Sequence, residues 1–282
     1  MKRSHPGLII TADDFGLHTS VNRAVERAHR EGVLAAASLM VGGAAAQDAV
    51  ARARACPGLR VGLHLVLADG QAVLPHRSIP DLVGRDGRFG GQMARDGVRF
   101  FCLPRVRRQL ALEIRAQFEA FAATNLLLDH VNAHKHFHLH PTVLTLLLEI
   151  GRDYGLEAVR LPREAGAPLW LRPWLGLLRA RLDSAGVRHN DDIGGVKQSG
   201  RFDEAALMKA LRDAPCTGIR ELYLHPALDS GAAIAPSMAG YRHADEFAAL
   251  VSPRVREACA ALAARGVRFG GYVDVAGAAG AT

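Results

Sequence analysis

Gly7-Leu-Ile-Ile-Thr-Ala-Asp13-Asp14-Phe-Gly16 is a short apolar, β-branched run that ends in two adjacent carboxylates and a glycine. Such a run reads as a buried strand. Over 19–32, Val21, Ala24, Val25 and Ala28 recur at helical spacing and Gly32 stops the helix. The two segments form a βα unit, and the rhythm repeats: strand 36–41, helix 44–56 stopped by Pro57 and Gly58, strand 60–67. Residues 68–104, rich in Gly, Pro, Asp and Arg, break it and read as a long loop or insertion.

Regularity returns with helix 104–123, a strand from Leu126 towards a histidine-rich stretch, and helix 141–154 with Pro141 in its first turn. Strand 158–161, a helical stretch 169–185 interrupted at Pro173, and strand 187–190 follow. Helix 202–212, strand 219–225, helix 254–265 and strand 267–273 complete the pattern.

Alternating strands and helices imply a parallel sheet with crossover helices. No Gly-x-Gly-x-x-Gly follows the first strand, which favours a closed or nearly closed barrel over an open doubly wound sheet. The expected fold class is therefore α/β, a distorted (β/α) barrel with mostly parallel strands. It forms a single domain over 1–282 with a flexible Ala/Gly tail after about 275.

Composition narrows the function classes. The chain has 282 residues, 49% hydrophobic and 22% charged, enough for a sizeable core. A net charge of +7 raises nucleic acid as a partner, but only four of the 35 basic residues are lysines and the arginines are spread along the chain without a block. Arginine bias explains that better than a phosphate-binding surface, so no nucleic-acid partner is expected. The four cysteines lack a C-x-x-C pair and read as buried small hydrophobes in a reducing compartment. No apolar run is long enough for a signal peptide core or a transmembrane segment, so the cytoplasm is the expected location.

In parallel α/β folds the ligand site lies at the carboxyl ends of the strands. The residues there are Asp13 and Asp14, His64, the histidines around His134, Arg160, Asn190 and Asp191, and His225. Asp13 and Asp14 can reach one cavity if the chain turns at the strand end; an acidic helix N-cap is the plain alternative. His64 in Gly62-Leu-His-Leu65 would, by itself, be an ordinary core histidine.

The stretch Asp129-His-Val-Asn132-Ala-His134-Lys-His136-Phe-His138-Leu-His140 puts every histidine on an even number, so an extended chain would turn them all to one face. Ten residue steps at about 3.3 Å are far too long for one coordination sphere. His134 is the best ligand candidate, with His136 and His138 as substrate-side neighbours. An Asp and two imidazoles suit a catalytic divalent ion, which lowers the pKa of coordinated water towards about 7. That donor set leaves both zinc and magnesium open. His225, in Leu224-His-Pro226, can protonate a leaving amine, and Arg160 can hold a carboxylate base or a substrate oxygen.

Together, Thr11-Ala-Asp-Asp-Phe-Gly16, Gly62-Leu-His-Leu65, Asn132-Ala-His-Lys-His-Phe-His138, Arg160-Leu-Pro-Arg163, Asn190-Asp191 and Leu224-His-Pro226 resemble the YdjC-like carbohydrate deacetylases, which include chitooligosaccharide deacetylases. The chain looks most like the branch associated with hopanoid biosynthesis. The resemblance implies a barrel akin to that of polysaccharide deacetylases and hydrolysis of an N-acetyl group from an amino sugar. It also implies one divalent metal on Asp14, His64 and His134, with Asp13 as base, His225 as acid, and Arg160 keeping Asp13 ionised. Asp191 would orient His225 or bind a sugar hydroxyl, beside His136 and His138. The substrate it suggests is an N-acetylglucosaminyl hopanoid, with short chitooligosaccharides as the alternative. A lipid-linked substrate leaves a peripheral contact with the inner membrane open, as it does a homodimer. The family usually has Asp where Asn132 stands, which bears on which histidine ligates. Competing readings are a metal-dependent phosphoesterase, which would need more ligands, and a non-enzymatic sugar- or metal-binding protein.

Overall fold

The computed structural model describes residues 6–213, 217–228 and 234–275. In chain order the elements are β1 (Gly7–Phe15), α1 (Thr19–Glu31), β2 (Ala36–Leu39), α2 (Ala46–Arg54), β3 (Arg60–Leu65), α3 (Met93–Cys102) and α4 (Pro104–Ala122). There follow β4 (Leu128–Ala133), α5 (Pro141–Gly151), α6 (Arg172–Ser184), β5 (Asp192–Gly194), α7 (Glu204–Arg212) and β6 (Ile219–Leu224). The last four are α8 (His243–Val251), α9 (Pro253–Ala264), β7 (Arg268–Phe269) and α10 (Tyr272–Val275).

The sheet runs β4-β3-β2-β1-β6-β5, with β7 on the start of β1, and every strand pair is parallel. It curls, and the segment 158–164 spans the space between its two edges. Val159 bridges Val131 of β4, Ala158 bridges Arg188, and Glu164 bridges Ile193 of β5. The expected distorted α/β barrel of parallel strands is what forms.

The expected strands 158–161 and 187–190 survive only as those isolated bridges. Side chains replace the ladder there: the Asn190 amide accepts from the Leu161 N–H at 2.7 Å and donates to its carbonyl at 2.8 Å, as a neighbouring peptide would. The expected strand 267–273 shortens to β7. Gly270 has φ 154, and the Asp129 carboxylate accepts the N–H groups of Tyr272 and Val273, capping the first turn of α10. Pro173 sits in the first turn of α6 rather than breaking it.

The stretch 68–104 is not all loop, since it contains α3. Its loop portion is held by three buried polar side chains of α4. Glu113 accepts the N–H groups of Val73 and Leu74, Gln109 that of Asp81, and Gln117 that of Val66. Long loops need such partners for their backbone. The cysteine expectation holds for Cys56 and Cys259, which are buried free thiols; Cys102 is exposed, and Cys216 lies outside the described residues, as does the tail after 275.

Candidate active site

Most of the polar strand-end residues converge, and β1 supplies the centre. Its register against β2 shifts between Ala12 and Phe15, and Asp14 adopts φ 63. A regular strand would send adjacent side chains to opposite faces. This bulge, strained at a non-glycine residue, instead lets both carboxylates join one cluster.

Asp14 meets two imidazoles. Its Oδ1 lies 3.3 Å from His64 Nε2 and 3.1 Å from His134 Nδ1, and the three donor groups fall within 4.8 Å of one another. His64 and Asn132 are register partners in β3 and β4, and His64 Nδ1 sits 2.6 Å from the Asn132 side-chain oxygen. An amide oxygen only accepts, so Nδ1 carries the proton and the Nε2 lone pair points towards Asp14. Both Asp14 oxygens and His64 Nε2 are buried without a hydrogen-bond partner. Burial by itself would push the Asp14 carboxyl up, but His134 above all holds it well below the ordinary range. Neither Asp14 oxygen makes a hydrogen bond, a costly state for a buried carboxylate unless a cation joins it. The donor set of one carboxylate and two imidazoles, with positions left over, fits a divalent ion.

Asp13 is the second carboxylate. Arg160 clamps it through Nη1 to Oδ2 at 2.5 Å and Nη2 to Oδ1 at 2.9 Å, and Asn132 Nδ2 donates to Oδ1 at 3.2 Å. Burial raises the Asp13 carboxyl, yet the Arg160 guanidinium, with His64 and His225, carries it far below the usual carboxylate range. Arg160 is fully buried, donates to Glu221 at 2.8 Å and stacks on Tyr223 at 4.8 Å. Glu221 in turn accepts from Thr11 and from Tyr272, both at 2.7 Å. The reading of Arg160 as a partner of Asp13, rather than a surface arginine, agrees with this geometry.

Behind the pair runs a second buried chain: Asp129 to His130 at 2.9 Å, His130 to Ser38 at 3.0 Å, and Asn132 to Ser38 at 2.9 Å. Gly62 makes room for it, because a Cβ there would stand 2.5 Å from the His130 ring. His225 directly follows β6, with its ring edge-on to Tyr223 and Tyr241.

Residues 7–261 match the family of YdjC-like proteins. The chain belongs to the YdjC-like family. It is similar to a carbohydrate deacetylase of Brevibacillus brevis, 28% identical over 89% of this chain and 93% of that one. It is likewise 30% identical to a chitooligosaccharide deacetylase of Escherichia fergusonii, over 95% of this chain and 98% of the relative. Among solved structures it resembles one from Enterococcus faecalis V583, titled as a candidate cellobiose-phosphate cleavage protein, with TM-score 0.76 at 25% identity over 95% and 98% of the two chains.

Three expectations for this YdjC-like chain change. Asp191 does not reach His225: it accepts the Ile219 N–H at 2.9 Å, at the start of β6, whereas His225 follows the strand's end. The carboxylate beside His225 is Glu246 of α8, fully buried, which accepts the His225 N–H and lies 3.9 Å from Nδ1. The histidine alternation also fails after His134, because Lys135 and His136 take φ 54 and 55 and the chain leaves the strand. His136 Nε2 therefore lies 3.1 Å from the Tyr223 hydroxyl, beside the Asp13–Arg160 pair. His138 is 2% exposed and bound to the Arg160 carbonyl at 2.9 Å, a brace rather than a ring open to substrate. Burial, then Arg160, pulls its pKa down to about 4, so it braces as the neutral imidazole. His140 turns towards Phe100 and Phe137.

Proposed function

We propose that this protein is a metal-dependent carbohydrate deacetylase that hydrolyses the N-acetyl group of an amino sugar. The observation that carries the reading is the set of buried, partnerless donor atoms on Asp14 and His64 beside His134, within bonding range of a single cation and next to a clamped second carboxylate. The deacetylase names of its relatives in the YdjC-like family support the same chemistry.

Asp14, His64 and His134 would hold the ion, which supplies Lewis acidity to the acetamide carbonyl and acidifies water. Asp13 is the base. Its ionised form, maintained by Arg160, accepts the proton of the attacking water, while the Asn132 amide fixes the orientation of its Oδ1. His225, held by Glu246 through its own backbone N–H, delivers a proton to the departing amine. Tyr223 is held between His136 and Arg160, beside the Asp13 base.

A phosphoesterase reading would call for a second metal. Among the described residues, the group suited to an ion comprises these three donors. For the substrate we propose an acetylated amino sugar of chitooligosaccharide type, supported by the E. fergusonii relative, or an N-acetylglucosaminyl hopanoid, supported by the motif resemblance and the exposed Leu169 and Trp170. Incubation of the metal-loaded protein with each, followed by mass spectrometry, tests the reading: loss of one acetyl group with release of acetate supports it. An unchanged mass for both substrates refutes it.

A further inference from the structure

The turn that leads away from His134 is flanked by two elements with exposed apolar tips. On α3, Val98 is 64% and Phe101 59% exposed, and Leu103 follows at 45%. On the turn before α6, Leu169 is 74% and Trp170 78% exposed. Both elements pack on the same four residues, Phe137–His140. Phe100 of α3 lies 5.2 Å from the Phe137 ring, and Gly97 faces His140. Trp174, just after Trp170, donates its indole N–H to the Leu139 carbonyl at 3.1 Å. The apolar tips therefore flank the turn that follows β4 and carries on from His134.

Charge gathers at the same places. Residues 95–108 hold Arg95, Arg99, Arg105, Arg107 and Arg108 against Asp96, with Asp81 pairing Arg105 at 2.7 Å. Residues 163–181 hold Arg163, Arg172, Arg179 and Arg181 against Glu164, with Arg179 paired to Asp183 and Asp191 at 3.8 and 3.5 Å. These two segments, which carry the exposed rings, together hold nine of the chain's arginines. In a two-fold dimer built on this face, like charges would meet across the interface. Exposed Trp, Phe and Leu side chains fringed by arginine match a bilayer interface, where rings enter the headgroup boundary and guanidinium groups meet lipid phosphates.

We propose that α3 and the Leu169–Leu171 turn dock the protein peripherally on an anionic phospholipid surface. The proposal stands whichever acetylated sugar is hydrolysed. No helix among the described residues is long and apolar enough to cross a membrane, so attachment through this rim would be reversible.

The test is flotation of the full chain with phosphatidylglycerol-containing vesicles and with pure phosphatidylcholine vesicles. Binding is expected to the first and not the second, and to weaken with salt. A Phe101→Ser, Trp170→Ser double variant and an Arg95→Glu, Arg108→Glu double variant should each lose at least about tenfold in partitioning. Both should keep the wild-type melting temperature and acetate release from a soluble chitooligosaccharide. Brominated lipids should quench the fluorescence of the wild type and much less that of Trp170→Phe. Absence of binding to anionic vesicles, unaltered binding of both variants, or a wild-type dimer that the variants dissociate would each overturn the proposal.

Discussion

Arg160 and Asp13 form a bidentate pair at 2.5 and 2.9 Å with neither side chain open to solvent, and the same guanidinium reaches Glu221 at 2.8 Å. One cation thus compensates two buried carboxylates. Arg160→Ala would leave both without a counter-charge, and removing one partner of a buried pair costs about 3–5 kcal/mol. Urea denaturation should show a loss of that size, and Arg160→Lys, unable to fork, should fall in between. A loss below about 1 kcal/mol would mean that the pair does not bear on stability.

Asn132 joins His64 to Asp13 without carrying charge itself. Asn132→Ala frees the His64 ring to rotate and change tautomer, so divalent metal affinity should fall about 10–100-fold, as for other residues that orient metal-binding histidines. Competition titration against a chelating dye reads this directly, and wild-type affinity in the variant would contradict the assignment of His64 as a ligand.

His225→Ala should lower kcat by about 10²–10⁴ while KM for a soluble substrate changes little, because the proton is needed only as the amine leaves. Metal content should remain as in the wild type. A variant with normal kcat would remove His225 from the reaction.

Acid stability should follow Glu221. Burial pushes its carboxyl up, but Arg160 overrides this and holds it below the ordinary 4.5. A lowered folded value means that the unfolded chain binds protons first as pH falls. The stability contributed by the pairing is therefore complete above about pH 5 and is lost on descent through the folded value. Glu221→Gln should be less stable than the wild type near neutrality, with the difference shrinking in acid. A constant difference across a pH series of melting curves would contradict the coupling.

Much of this was legible in the sequence because it is local. The Gly7–Phe15 strand and the helix after it announce themselves by residue type and spacing, and polar residues where strands stop mark the site face in a parallel fold. Asp14, His64, His134 and His225 stand at or just past strand ends in that pattern. Glu246 is not legible in the sequence because its carboxylate meets His225 only through tertiary packing of α8. Asp191 reads as a strand-end residue because 187–190 reads as a full strand, whereas that stretch keeps only the Ala158–Arg188 bridge and β5 begins after Asp191. The Asp129–His130–Ser38–Asn132 chain depends on register between strands far apart in sequence, which spacing along one strand does not encode. The histidine run misled for a complementary reason: two positive-φ residues, Lys135 and His136, end the alternation that an extended chain would have kept.

The most direct test of the account is metal content measured together with acetate release in the same samples. Plasma mass spectrometry of the wild type, loaded and dialysed, should find one divalent ion per chain. His64→Ala and Asp14→Asn should bind little, and acetate release should vanish on exhaustive chelation and return on readdition of the ion. Full acetate release from metal-free protein, or from His64→Ala, would contradict it.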